Sequence, residues 1–238
     1  ALVVFFSILL ILPGFIDWNK YRGEIVSQLE NATGHRYKID GGINLAILPF
    51  PHVVVEKLGV FPADGKEPLA AVERADISVA LLPLIKGKVE VSSIVLVKPD
   101  IRLAVAADGT PSWMTPILQE KISKNKGEQG GAQLANAIAL NDIRIKGGAF
   151  SYDDRRAGKS WSVKGVDLSL HADTLLGPYS ADGFLVYNDL DVKFNVRTGK
   201  IGEGKDSVAL QADIKIPASS TTVTWSGVAA FKDKWEIQ

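Results

Sequence analysis

The chain has 238 residues and contains no cysteine. This absence excludes disulfides, zinc–thiolate sites, iron–sulfur clusters and thiol nucleophiles, because each of them needs cysteine sulfur. It says little about the compartment. A cysteine-free composition suits an extracytoplasmic protein, but many cytosolic proteins share it.

The chain also lacks an excess of charge of either sign. Its 27 Lys and Arg residues are balanced by 27 Asp and Glu residues. A nucleic-acid-binding protein normally carries a basic stripe, and none is visible, so we predict no nucleic-acid partner. Charge also gives little attraction to an anionic membrane surface, so any membrane association must depend on apolar segments.

Recognisable catalytic and ligand-binding motifs are missing as well. None of the three histidines, His35, His52 and His171, has a second histidine at ligand spacing, so we predict no metal site. No nucleophile elbow, phosphate-binding loop or dinucleotide-binding motif occurs, and no cofactor is expected. Asp153–Arg156 pairs two carboxylates with two arginines and is typical of an exposed hairpin tip. We therefore predict that the protein is not an enzyme.

What is present begins with an apolar run, Ala1–Ile16, in which Ser7 is the only polar side chain apart from a proline and a glycine. As a helix it would span about 24 Å, just short of a hydrocarbon core of roughly 30 Å. Because the chain starts with Ala, we predict a transmembrane anchor that lacks its first residues. The alternative, a cleaved signal peptide, lacks a small-residue cleavage site before Asp17.

Residues 17–34 predict an amphipathic helix that Asp17 caps and Gly34 ends. It either caps the edge of a sheet or lies on a membrane surface. Two aromatic residues, Trp18 and Tyr21, are candidates for the membrane interface, where such side chains are favoured. The apolar stripe consists of Trp18, Tyr21, Ile25, Leu29 and Ala32.

From about Tyr37 the apolar residues recur with a period of two, which predicts a series of antiparallel strands. We divide this part into a first β segment at 35–113, a short helix and linker at 114–133, and a second β segment at 134–238. The parity of the apolar residues changes at Gly147-Gly148, which predicts a register shift there. Lys98-Pro99-Asp100 likewise predicts a bulge. A weak repeat aligns residues 93–101 with residues 142–150.

The helical content is too small to cover the apolar face of these strands. The predicted fold class is therefore mainly β, with a curled antiparallel sheet forming an apolar groove, and a closed β-sandwich is the alternative. The candidate groove-lining residues are Ile77, Val79, Leu81, Val95, Val97, Ile101, Leu103, Val105, Leu190, Val192, Phe194 and Val196.

Several motifs, taken in order, resemble the N-terminal region of AsmA-family proteins. The resemblance covers nearly the whole chain, and it departs at His35, where the family often has arginine. The similar segments are Asp17–Arg22, Leu29–Gly41, Leu48–Pro51, Leu82–Val89, Pro99–Ile101, Asp108–Trp113 and Leu175–Tyr179.

The resemblance implies a single-pass protein of the bacterial inner membrane, with its β region in the periplasm and an apolar β-groove. It further implies a role in phospholipid transport to the outer membrane and in envelope integrity, with phospholipid as the ligand. An alternative role is that of a structural or assembly factor that docks outer-membrane or periplasmic proteins. Because family members are usually much longer, we expect this chain to be an N-terminal fragment.

Overall fold

The computed structural model describes residues 16–47, 50–63, 65, 67–81, 83, 91–117, 119–120, 140–174, 177–200, 207–230 and 236–237. The predicted anchor, apart from Ile16, and most of the predicted linker lie outside these residues. Across the described part, no helix has both the length and the apolar character needed to cross a bilayer.

One helical segment precedes the strands. A 3-10 helix at Trp18–Tyr21 leads into helix α1 at Arg22–Thr33. The Asp17 side chain accepts a hydrogen bond from the backbone N–H of Asn19 at 3.2 Å, so the predicted cap is confirmed. Gly34 ends α1 in the left-handed conformation with φ of 76°, which glycine adopts without strain.

Thirteen strands form one hydrogen-bonded sheet, which confirms the predicted mainly β architecture. The spatial order is β1-β3-β4-β5-β7-β8-β9-β10-β11-β12-β13, with β2 beside β3 and with β6 beside β4 and β7. The strands are β1 Arg36–Ile39, β2 Ile43–Ala46, β3 His52–Phe61, β4 Ala70–Val79, β5 Val91–Val97, β6 Asp100–Val105, β7 Leu140–Asp154, β8 Lys159–Ala172, β9 Tyr179–Tyr187, β10 Leu190–Thr198, β11 Ser207–Ile216, β12 Thr221–Ala230 and β13 Glu236–Ile237.

The prediction that all strands are antiparallel is wrong at one place in the sheet. β7 lies parallel to both β5 and β6. The long connection before β7 allows this arrangement, because a crossover of a dozen or more residues can return the chain to the starting edge of the preceding strand. Ile94 pairs with Ile143 and Ile101 pairs with Phe150, an offset of 49 residues in both pairs. The weak repeat between residues 93–101 and 142–150 therefore corresponds to the parallel pairing of β5 and β6 with β7.

A line of irregular backbone crosses the first strands of the sheet. This irregular line consists of four residues with positive φ: Lys57 in β3 (51°), Lys98 between β5 and β6 (46°), Gly147 in β7 (63°) and Gly165 in β8 (55°). Between the first two, the carboxylate of Glu73 in β4 binds Lys98 Nζ at 2.9 Å. Each left-handed residue interrupts the alternation of side chains along its strand.

The predicted register shift at Gly147-Gly148 is thereby confirmed, since the pairing of β7 with β8 shifts on both sides of Gly148. A Cβ built on Gly148 would lie 2.7 Å from Ile145 Cγ2, so positions 145 and 148 face the same side of the sheet. Apolar residues of even number after the shift, such as Phe150, therefore continue the face that Ile145 begins.

The interior of the sheet contains few buried apolar side chains, most of them near β1–β4. Among the described residues, no large side chain is fully buried. A second layer packed on the sheet would bury many more apolar side chains than this. The buried apolar residues are Ile39, Ile43, Val54, Leu69, Val72, Ala75, Val105, Ala172 and Val208.

His35 is buried at the junction between α1 and β1. Its residue surface is 7% exposed, and its Nε2 atom has no hydrogen-bond partner among the residues that the structure describes. Burial disfavours the charged imidazolium and lowers the pKa of His35 below its ordinary value of 6.5.

We expect the free energy of unfolding to decrease as the pH falls below 6.5, because the unfolded chain then protonates His35 more readily than the folded chain does. The stabilisation that His35 gives in its neutral form is fully present above pH 6.5. Below this pH the free energy of unfolding decreases by at most about 1.4 kcal/mol per pH unit, until the pKa of His35 in the folded protein is reached. Urea unfolding of the native chain and of His35→Gln, each at about pH 7.5 and about pH 5.5, tests this expectation. An equal loss of stability in both proteins would contradict it.

Candidate functional site

Two ladders of apolar residues cross the sheet side by side on one face, and together we call them the apolar band. Each ladder passes through ten strands, from β2 to β12 without β6. At about 4.8 Å between strands, the band is roughly 43 Å long. One ladder contains Leu45, Val53, Ile77, Ile94, Ile143, Leu170, Ala181, Val196, Ala212 and Trp225, and the other contains Ile43, Val55, Ala75, Leu96, Ile145, Leu168, Gly183, Phe194, Ile214 and Val223.

The β9–β12 part of this face is open to solvent. Ile214 and Val223 pair with each other and are 38% and 51% exposed. Tyr187 and Leu190 also pair with each other on this face and are also exposed. Contiguous exposed apolar side chains of this size mark an interaction surface more often than an ordinary surface.

Beyond the irregular line, an aromatic cluster extends the same face on β7 and β8. The ring centre of Trp161 lies 5.2 Å from that of Phe150 and 5.9 Å from that of Tyr152. Ile101 pairs with Phe150, and Leu103 pairs with Tyr152. The apolar face is therefore wider here than the two ladders of the band.

The structure brings most of the predicted lining residues onto this face. Three of them, Ile77, Phe194 and Val196, belong to the band itself. Others share the face through the alternation along their strands, namely Val79, Leu190, Val192, Ile101, Leu103 and Val105. Leu81 lies beyond the end of β4 and is outside the sheet.

Val95 and Val97 are placed on the opposite face. Val95 pairs with Arg144, and Val97 pairs with Lys146. Their neighbours Ile94 and Leu96 belong to the band instead. The reason is the left-handed Lys98, since residues of odd number face the band only after that position.

The membrane-interface candidates lie where the band begins. The Trp18 and Tyr21 rings are 5.9 Å apart, and Tyr21 is 53% exposed. Two hydrogen bonds hold the helical segment to the sheet: Asn19 Oδ1 accepts from Ile43 N at 3.0 Å, and Arg22 Nη2 donates to Gly41 O at 2.7 Å. Because Ile43 lies on β2, the segment is fixed at the first strand of the band.

Across the described residues, the arrangement offers an apolar contact surface. Within the described ranges, His, Asp and Glu form no group of three or more that could hold a metal ion. Asp153 and Asp154, the only adjacent carboxylates singled out in the sequence, make local contacts at a hairpin turn. Arg155 Nε binds Asp153 at 3.1 Å, and Ala157 N donates to Asp154 at 2.9 Å.

Comparison with protein-family models gives a match to the AsmA family over residues 1–230. The chain belongs to the AsmA family. Members of this family are not known as enzymes, and membership fits cell-envelope and lipid-transport roles in general. No curated protein and no solved structure matches this AsmA-family chain.

Proposed function

We propose that this AsmA-family protein is anchored in the bacterial inner membrane by its N-terminal apolar run and carries phospholipid toward the outer membrane. The β region then lies in the periplasm, and acyl chains move along the apolar band. One observation carries the proposal: an apolar face that extends over ten strands is left exposed at its β9–β12 end.

The physical basis is the removal of acyl chains from water. Each methylene that moves from water onto an apolar surface gains about 0.8 kcal/mol. A band of roughly 43 Å without an interrupting charge offers such contacts at every strand, so a chain can slide between equivalent positions. The opposite face, which contains Arg144 and Asp182, offers no comparable path.

The entry point that we propose is the β2 end of the band. There the segment that contains Trp18 and Tyr21 is joined to Ile43 by a hydrogen bond. If the preceding apolar run spans the bilayer, this segment lies at the membrane surface, where aromatic side chains are favoured. Lipid leaving the membrane would first meet the apolar residues of β2 there.

A pair of adjacent positions on β5 tests the proposal. A photo-crosslinking amino acid at Ile94 faces the band, and one at Val95 faces the opposite side. Irradiation of cells expressing the full-length protein should yield phospholipid adducts at position 94 and few at position 95. Val196, which faces the band, and Arg197, which faces the opposite side, form a second pair of the same design on β10.

Adducts that form only at the 95 and 197 positions would contradict lipid transport along the band. Adducts with protein instead of lipid at the 94 and 196 positions would favour the alternative role, that of an assembly factor for outer-membrane proteins. Mass spectrometry of the adducts separates these outcomes.

A further inference from the structure

A concavity of about 1060 Å³ lies on the face opposite the apolar band, across β7–β12. Its lining consists mainly of polar and charged side chains whose register places them away from the band. The concavity therefore belongs to a different surface from the one that the proposed transport function uses.

The side chains in this concavity are sorted by charge into two neighbouring rows. Each row runs across β9–β12 through direct cross-strand pairs. Along a strand the rows are two residues apart, which corresponds to about 6.8 Å. The acidic row is Asp182, Asn195, Asp213 and Thr224, and the basic row is Phe184, Lys193, Lys215 and Thr222.

The basic row places two ammonium groups next to each other. Lys193 and Lys215 are direct cross-strand partners, and like charges at such positions destabilise a sheet. Neither lysine forms an ion pair with any carboxylate in the described part of the chain. Two adjacent cations at the wall of a concavity therefore remain available for an anion such as a phosphate.

The acidic row offers the complementary charge. Asp213 accepts a hydrogen bond from Thr224 Oγ1 at 2.8 Å and keeps its second oxygen for other contacts. Asp182 lies on the same row and pairs across the strands with Asn195. Phe184, the neighbour of Asp182 on β9, adds an aromatic ring that can receive a cation on its face.

Two of the other charged groups of the concavity already have partners. Arg144 Nε binds Asp142 at 2.9 Å, and Asp167 accepts the backbone N–H of Gly147 at 2.8 Å. A third, Lys146 of β7, also lines the concavity and forms no ion pair in the described part of the chain. Within β9–β12 the unpaired charges lie on the two rows, positive on one and negative on the next.

From this arrangement we infer that the concavity binds a zwitterionic phosphate ester, with phosphate on Lys193 and Lys215 and an ammonium group between Asp182 and Asp213. This is the chemistry of phosphoethanolamine, either as the free ester or as the headgroup of a phospholipid. A two-carbon link between phosphate and ammonium lets one molecule reach both rows. The inference uses the face opposite the band and does not rest on the proposed function.

The test is a calorimetric titration of the purified full chain in mild detergent with phosphoethanolamine. Saturable binding is expected, at least tenfold tighter than binding of inorganic phosphate or of ethanolamine. A double substitution, Lys193→Gln with Lys215→Gln, should weaken phosphoethanolamine binding at least tenfold. The matched control, Lys38→Gln with Lys159→Gln, removes two charges outside the concavity and should leave binding unchanged.

The acidic row has its own readout. Asp182→Asn with Asp213→Asn should weaken binding of phosphoethanolamine while leaving the weak binding of inorganic phosphate unchanged. Co-sedimentation with phosphatidylglycerol vesicles, with and without phosphatidylethanolamine, then identifies the source. Binding that requires phosphatidylethanolamine assigns the site to a lipid headgroup, and binding of the soluble ester alone assigns it to a free metabolite.

Three results would overturn the inference. They are the absence of saturable binding by both the ester and the vesicles, equal affinity for phosphoethanolamine and inorganic phosphate, and an equal loss of binding in the control variant. Circular dichroism of each variant establishes that the sheet is retained, so that a loss of binding reports on the site.

Discussion

Aspartate at both Ile214 and Val223 is expected to lower the amount of phospholipid that copurifies with the protein at least tenfold. The two residues are cross-strand partners on the apolar band and are already exposed, so the substitutions remove little buried surface. An acyl chain that crosses them must desolvate two carboxylates, at a cost of several kcal/mol each, whereas 1.4 kcal/mol already corresponds to a factor of ten.

The same two strands provide the control. Gln211 and Ser226 are also cross-strand partners, but their register places them on the opposite face. Aspartate at both positions introduces the same pair of like charges into β11 and β12 without entering the band. Lipid extraction and mass spectrometry of the purified variants should find normal lipid in this control. Equal lipid in both double variants would contradict transport along the band.

The sequence pattern predicted the face correctly in β10, where polar residues alternate with apolar ones. In β10, Leu190, Val192, Phe194 and Val196 alternate with polar residues, and all four lie on the apolar face. The polar neighbours decide the assignment, because a face that contains Asp191 and Lys193 is the solvated one. Such strands can be assigned from their own residues.

The assignment was ambiguous in β5, where residues 94–97 are all apolar. Because no polar residue alternates with the apolar ones in this run, the run itself does not show which of its residues face the apolar side. The prediction therefore followed the alternation of Ile101 and the residues after it. The left-handed backbone at Lys98 reverses the parity between the two stretches. A lysine with positive φ has no reliable signature in the sequence, since glycine and asparagine are the residues that usually announce this conformation.

The parallel pairing of β7 with β5 and β6 joins residues that are far apart in the sequence. Local patterns show which residues of a strand share a face, but they do not show which strands become neighbours. The repeat between residues 93–101 and 142–150 was the available signal, because its 49-residue offset is also the pairing offset. The two charged rows of the opposite face were likewise invisible, since they arise only when β9, β10 and β11 are placed side by side.

Valine at Gly183 is expected to destabilise the protein by about 3 kcal/mol, at the upper end of the usual cost of overpacking. A Cβ built at this position would lie 2.2 Å from the backbone oxygen of Asp167 and 2.9 Å from Phe194 Cζ. The backbone oxygen cannot move without disturbing the pairing of β8 with β9. Gly183 is the one member of the apolar band without a side chain, and the Phe194 ring lies across it.

Urea unfolding of the purified protein in mild detergent, followed by tryptophan fluorescence, measures this effect. The control is Gly23→Ala in α1, where a Cβ would meet no atom within 4 Å. That substitution should raise the free energy of unfolding by up to about 1 kcal/mol, because alanine is the better helix former. A Gly183→Val variant as stable as the native chain would mean that β8 and β9 do not approach each other as the register requires. The continuity of the band across these strands depends on that approach, so the same measurement tests the path proposed for the acyl chains.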